Sequence, residues 1–332
     1  MNDTDINSIV KKEIAIDNYL SETGPDVLRE ELIKGLTAEQ KYISSKYFYD
    51  KKGSEIFEEI TKLDDYYPTR TEKSILTNNA KSIVKDFRQT TIIELGSGDS
   101  SKISIILNSL SNMQLKSATY IPFDVSKTAI EKSISDLTEK FPELKIRGIA
   151  ADFMNQLNLI PEVKHKVICF FGSTIGNLNP QDAFEFMKKI GDIMNAGDIC
   201  LLGTDMVKDI KTLENAYNDN SNITAAFNKN ILNVVNKHLK TDFNTDLFEH
   251  HAFYNTQKSR IEMYLKAKLN MQINSPSLTR KIRLNKNESI HTENSHKFTN
   301  ENIFEFAQYA GLKIKTVFRD KNGWFSLIQF IK

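Results

Sequence analysis

Cysteine is scarce: the chain has two in 332 residues, Cys169 and Cys200, each inside an apolar run. No disulfide framework is called for, both thiols read as buried strand residues, and the low count suits a reducing compartment. A charge excess is also lacking. Lysine and arginine number 44 against 43 acids, a formal net charge of +1, so neither a nucleic acid nor any other charged partner is indicated. No apolar run approaches the ~20 residues a membrane-spanning helix needs. The start, Met1-Asn2-Asp3-Thr4-Asp5, lacks the basic-then-apolar layout of a signal peptide, and the expectation is a cytoplasmic protein. Zinc-spaced cysteine and histidine clusters, a Walker loop and a serine-nucleophile elbow are all missing, so no metal is expected. His250 and His251 are adjacent, and on a strand they face opposite ways. With balanced charge and no adhesive patch, a monomer is the default.

What is present is an ordinary globular composition, 40% hydrophobic and 26% charged, in a chain long enough for a sizeable core. Residues 1–19 are polar and read as a lead-in. From about 70 to 205 short apolar runs alternate with helical patterns. Strands are expected at 91–95, 118–123, 144–150, 166–171 and 198–203, and helices at 71–86, 101–111, 126–140 and 181–194. That alternation means a mostly parallel sheet with helices on both faces. Residues 208–240 read as helical, 246–292 as several strands, and the tail as a helix (300–310) and two strands (312–319, 324–331). A closing helix and hairpin complete a seven-stranded α/β sheet of the Rossmann-like kind. The expected division is 70–206 with 297–332 as the sheet domain, and 20–69 with 207–296 as a smaller α+β domain.

The first strand of the alternation runs into Glu94-Leu95-Gly96-Ser97-Gly98 and then a helix. Glycines between strand and helix let the backbone turn sharply and approach a ligand. A dinucleotide fingerprint would have a third glycine where Ser101 stands. An acidic residue just before the first glycine is instead typical of an S-adenosylmethionine site, where it faces the cationic methionine end. Ligands of open parallel sheets lie beyond the carboxyl ends of strands. Asp124 stands at one such end, where it would accept the ribose hydroxyls or serve as a helix cap. Asp152 stands at the next, where it would take the adenine amino group while Phe153 covers the ring. Lys102, on position alone, is a surface lysine.

Several segments together resemble the histidine-specific N-alpha-methyltransferases of ergothioneine biosynthesis. They include Lys46-Tyr47-Phe48-Tyr49-Asp50, Tyr66-Tyr67-Pro68-Thr69-Arg70-Thr71-Glu72, the glycine loop and Phe171-Gly172-Ser173-Thr174-Ile175-Gly176-Asn177. Ala216-Tyr217-Asn218, Arg260-Ile261-Glu262-Met263 and the stretch from His291 to Phe298 continue the series in the same order. The resemblance implies a class I methyltransferase fold and trimethylation of the histidine α-amino group to hercynine. It implies that Tyr49, Gly96, Lys102, Asp124, Asp152 and Phe153, with Glu94, Ser97 and Gly98 of the loop, hold S-adenosylmethionine. Asn177 and Tyr217 would then hold the amino acid's backbone groups, with Gly172 and Tyr66 near the reacting nitrogen. Glu293 and Ser295 would hold the imidazole, in a pocket lined by Met263. Tyr66 and Asn177 are the residues expected closest to the chemistry. The loop continues as Asp99-Ser100-Ser101, more polar than the family pattern leads one to expect.

Glu293 and Ser295 also make sense physically. Two apart on a strand means one face, so a carboxylate and a hydroxyl can meet the two nitrogens of one imidazole. An apolar ring would leave both unpaired. Other readings stay open from these residues alone: the same fold acting on tryptophan or another amine, a dinucleotide oxidoreductase, or a non-catalytic binding module.

Overall fold

The computed structural model describes residues 15–20, 25–276 and 281–332. β1 (Ile16–Asn18), α1 (Pro25–Thr37), α2 (Lys51–Ile60) and α3 (Tyr67–Val84) come first. The alternating region follows as β2 (Thr91–Leu95), α4 (Ser101–Asn108), α5 (Asn112–Ser117), β3 (Thr119–Asp124), α6 (Lys127–Lys140), β4 (Lys145–Ile146), β5 (Gly148–Ala150), β6 (Lys166–Phe170), α7 (Pro180–Ile193) and β7 (Ile199–Asp205). Next come α8 (Ile210–Asn215), α9 (Ile223–Leu239), β8 (Phe248–Asn255), β9 (Arg260–Ala267), β10 (Met271–Ile273), β11 (Ile282–Leu284) and β12 (Ser289–His296). The chain closes with α10 (Asn300–Tyr309), β13 (Lys313–Arg319) and β14 (Phe325–Ile331).

The main sheet has the order β1-β5-β3-β2-β6-β7-β14-β13, with β4 also on β3. It is parallel from β1 to β7, and β14 and β13 run antiparallel. All residues of β2, β6 and β7 are buried, which is why they read as unbroken apolar runs. Successive side chains go to opposite faces: Ile93, Ile121 and Cys200 join the core under α7 and α10, while Ile92, Tyr120 and Cys169 join the core under α3 and α4. The two cysteines are therefore separate, free and buried on opposite faces.

Four expectations change, the first being the helix expected over 101–111, which stops at Asn108 and is followed by the short helix α5. Part of the polar lead-in is a strand: Ile16–Asn18 pairs in parallel with Gly148–Ala150 and extends the sheet beyond seven strands; residues 1–14 lie outside the described residues. A three-residue edge strand carries too little periodicity to be read. It needs Gly148, where a Cβ would come within 2.6 Å of Ile130 Cγ2 and 3.1 Å of Ile16 Cγ1. The strand expected at 144–150 is interrupted into β4 and β5. The helix expected over 208–240 is broken into α8 and α9. Asp219 accepts the backbone N–H groups of Ile223 (2.9 Å) and Thr224 (2.8 Å), so it caps a new helix.

A second, antiparallel sheet, β12-β9-β8, carries α9 on one side. Phe227 and Ile231 of α9 share a core with Ile261, Met263 and Leu265 of β9 and with Phe48, which stacks on Phe227 at 4.5 Å between centroids.

Candidate active site

A cavity of about 740 Å³ opens over the carboxyl ends of β2, β3, β5 and β6, a size suited to a small-molecule ligand. Every residue expected from the sequence to hold the cofactor or the amino acid lines it. Gly96 and Gly98 have φ of 68° and 47°, a left-handed backbone that side chains resist. Gly96 N–H donates to the Phe123 carbonyl at 2.8 Å, which ties the loop to the end of β3. Asp124 accepts from Gly98 N–H at 3.1 Å and from Ser126 N–H at 2.8 Å, one bond on each oxygen. Each oxygen keeps a lone pair for a ligand hydroxyl. The helix cap is Ser126 itself, which accepts from Ala129 N–H. Ser97 Oγ is buried and without a partner, an orphaned polar atom on the cavity wall. Asp152 is held by Met154 N–H and the Asn155 amide, and Phe153 packs its ring against Phe170 and Phe123. This set fits S-adenosylmethionine: a tight loop, a hydroxyl awaiting a partner, two carboxylates with free lone pairs and an aromatic face.

The other wall comes from the second sheet. Glu293 sits opposite Met263 in the β12–β9 register, just past an irregularity after His291, and Ser295 sits opposite Ile261. Asn177 lines the same cavity as Glu293 and Ser295. Asn294 lies between them and turns away to His291, at 2.9 Å. The Tyr217 hydroxyl donates to Ser295 Oγ at 2.8 Å, and His250 Nε2 holds the Tyr217 carbonyl at 2.8 Å. Tyr66 precedes α3, with its ring edge against Phe57 and Tyr217. Tyr49 packs edge-on to Phe57 and Phe227.

Four further residues of the site are not singled out from the sequence. Glu72 of α3 is fully buried and accepts Gly172 N–H with both oxygens, at 3.0 and 2.9 Å. Its partner is Lys102, at 2.7 Å, which is therefore no surface lysine. Asp205 ends β7 and is buried with Lys297 at 2.9 Å, and it accepts the Tyr67 hydroxyl. Thr224 Oγ1 is a second orphaned polar atom on the cavity wall. The strand-end rule that marks Asp124 and Asp152 marks Asp205 equally well. Lys297 stands two past Ser295, at the spacing that already pairs Ser295 with Glu293.

The family described as histidine-specific, S-adenosylmethionine-dependent methyltransferase matches residues 28–332. The chain belongs to this family. The methyltransferase is 38% identical over 315 residues to a histidine N-alpha-methyltransferase of Mycolicibacterium smegmatis, an alignment covering 95% of this chain and 98% of that one. A Mycobacterium tuberculosis protein of the same description is 35% identical, with the same coverage of both chains. A 4-dimethylallyltryptophan N-methyltransferase of Claviceps purpurea is 28% identical over 174 residues, half of each chain.

Burial raises several carboxyls on the cavity wall of the methyltransferase, Glu94, Asp124 and Glu293 among them. Burial pushes Glu94 up to about 8, against the pull of the Tyr120 hydroxyl and Lys102. Burial pushes Glu293 up to about 7, against Lys297 and Asn177. A carboxyl raised in the folded state binds its proton more tightly folded than unfolded. Its contribution to stability is therefore present at low pH and lost as pH rises from its unfolded value through its folded one. For Glu94 that window runs from 4.5 to about 8. The ligand-free Glu94→Gln variant should gain in Tm over the parent as pH rises from about 6 to about 8. A difference in Tm independent of pH contradicts the shift.

Proposed function

We propose that the protein transfers methyl groups from S-adenosylmethionine to the α-amino nitrogen of L-histidine, up to the trimethylated betaine hercynine. One observation carries this reading: the cavity lined by the Glu94–Gly98 loop also has Glu293 and Ser295, an acceptor and a hydroxyl, on its wall. When bound, the cofactor supplies an electrophilic methyl with a neutral leaving group. The chain's own work is alignment, which supplies several kcal/mol of such a barrier. Glu94, Gly96, Ser97, Gly98, Lys102, Asp124, Asp152, Phe153 and Tyr49 are assigned to the cofactor. Asn177 and Tyr217 are assigned to the amino acid's backbone groups, and Gly172 and Tyr66 to the neighbourhood of the nitrogen. Burial holds the Tyr66 phenol well above its ordinary value, so it stays protonated and can only relay a proton it receives. The faces of Tyr49 and Tyr66 suit the growing ammonium cation.

Residues 70–206 with 297–332 are assigned to the cofactor part, and 20–69 with 207–296 to the acceptor part. Separate sheets and a distinct apolar core support the division, with Ile16–Asn18 joined to the first part. We also place the protein in the cytoplasm, as a monomer without nucleic-acid or membrane partners. Its charge is balanced, and among the described residues no helix is long and apolar enough to cross a membrane.

The test is incubation with S-adenosylmethionine and all twenty amino acids, read by mass spectrometry. Histidine alone should gain one, two and three methyl groups; methylation of tryptophan instead would replace the reading. Asp124→Ala should raise the dissociation constant of S-adenosylhomocysteine by about 10- to 100-fold, the value of lost hydrogen bonds to a carboxylate. Unchanged calorimetric affinity would take Asp124 out of the site.

A further inference from the structure

Lys297 follows β12 directly and is almost completely buried, at 3% exposure. Its ammonium has three partners: Asp205 Oδ2 at 2.9 Å, Ser295 Oγ at 2.8 Å and the Tyr217 hydroxyl at 3.3 Å. Three donors meet three acceptors, and an ammonium can only donate. Asp205 is itself held by the Tyr67 hydroxyl and by Lys208, so the ammonium is anchored from below. Burial alone would pull Lys297 down, but Asp205 and Tyr217 together outweigh it and hold the ammonium charged.

The consequence falls on two hydroxyls. Each gives a lone pair to Lys297. Tyr217 then donates its hydrogen to Ser295 at 2.8 Å. A serine oxygen has two lone pairs and one hydrogen. Both lone pairs of Ser295 are taken, so only the hydrogen is left for the cavity that Ser295 lines. Two residues back, Glu293 offers the opposite on the same cavity wall: a carboxylate, able to accept.

We propose that Lys297 is a specificity-determining positioning residue. By filling the lone pairs of Tyr217 and Ser295 it fixes Ser295 as a donor, so the pocket takes a neutral ring with one N–H and one bare nitrogen. Rings with an N–H and no bare nitrogen, such as pyrrole or indole, leave that buried donor unpaired. A doubly protonated imidazolium points a hydrogen at a hydrogen. Without Lys297 the Ser295 hydroxyl turns freely and accepts as readily as it donates. This inference rests on the histidine reading.

The test compares kcat/KM for L-histidine with that for the two pyrrolylalanine isomers, in which one ring nitrogen is replaced by C–H. The parent enzyme should prefer histidine by at least about tenfold, the cost of an unpaired buried donor. In Lys297→Met the preference should shrink to within about threefold, chiefly through KM, with S-adenosylhomocysteine affinity retained. Lys297→Arg, another donor-only side chain, should restore it. A Lys297→Met enzyme that keeps the full preference would make Lys297 merely structural and overturn the proposal. If Lys297→Met does not fold, Ser295→Ala decides: it should lose the preference, and persistence there overturns the donor assignment. A parent enzyme that methylates histidine and pyrrolylalanines equally overturns the proposal alone. One that leaves histidine untouched overturns the functional reading, and the proposal with it.

Discussion

Replacing Glu293 by alanine should lower kcat/KM for histidine by about 100-fold and leave S-adenosylhomocysteine binding unchanged. Hydrogen bonds to charged groups contribute about 1.5–3 kcal/mol, and 2.7 kcal/mol is a factor of about 100. The loss should be selective because Glu293 belongs to the β12–β9 sheet, whereas the glycine loop belongs to the main sheet. Histidine preference over leucine or phenylalanine should fall in the same variant, since only the Ser295 hydroxyl is then left to pair with a ring nitrogen. Steady-state assays with each amino acid, beside calorimetry with S-adenosylhomocysteine, check both halves. Unchanged histidine turnover would remove Glu293 from the site. Burial holds Glu293 near 7 in the ligand-free enzyme. Histidine binding should therefore weaken as pH falls through 7, where the acceptor becomes a protonated acid.

Replacing Glu72 by leucine should lower stability by about 3–5 kcal/mol, the usual effect of removing one partner from a buried ion pair. For a chain of this size that is a Tm drop of the order of 10 °C in a thermal melt. Two groups lose their partner together: the Gly172 N–H, which gives to both Glu72 oxygens, and Lys102. Both border the cavity, so activity should fall in the protein that remains folded. The fit around Glu72 is close. A Cβ at Gly203 would lie 2.0 Å from Glu72 Oε1, so Gly203→Ala should displace the same carboxylate and share the phenotype. A Glu72→Leu enzyme with parental Tm and activity would show the network to be incidental.

Strands β2, β3, β6 and β7 and helices α4, α6 and α7 were legible because each strand is a buried apolar run and each helix has a 3.6-residue stripe, whereas α5, which buries no residue, was not. Gly96, Asp124 and Asp152 were legible for a related reason: the carboxyl end of a parallel strand is a local feature, and its residues follow the apolar run directly. The Glu293-x-Ser295 pair came from the family resemblance, and the two-residue period of a strand explains why both can face one cavity. The edge strand Ile16–Asn18 was not legible, since three residues beside Gly148 are held by pairing and close packing across 132 positions of sequence. Nor was the break before α9, where one aspartate, Asp219, outcompetes continuation of the helix.

Sequence alone determined the sheet and the glycine loop, because each is written within a few consecutive positions, while the residues proposed to read an imidazole came from the family resemblance. Tertiary structure decided what those residues are tied to. Glu72 reaches Gly172 and Lys102, and Asp205 reaches Lys297, Lys208 and Tyr67, across separations that no local pattern encodes. Charges buried this deeply persist only when each finds its partner. That requirement is met by the packing of the two sheets around one cavity, and it sets which hydroxyl donates and which carboxylate accepts.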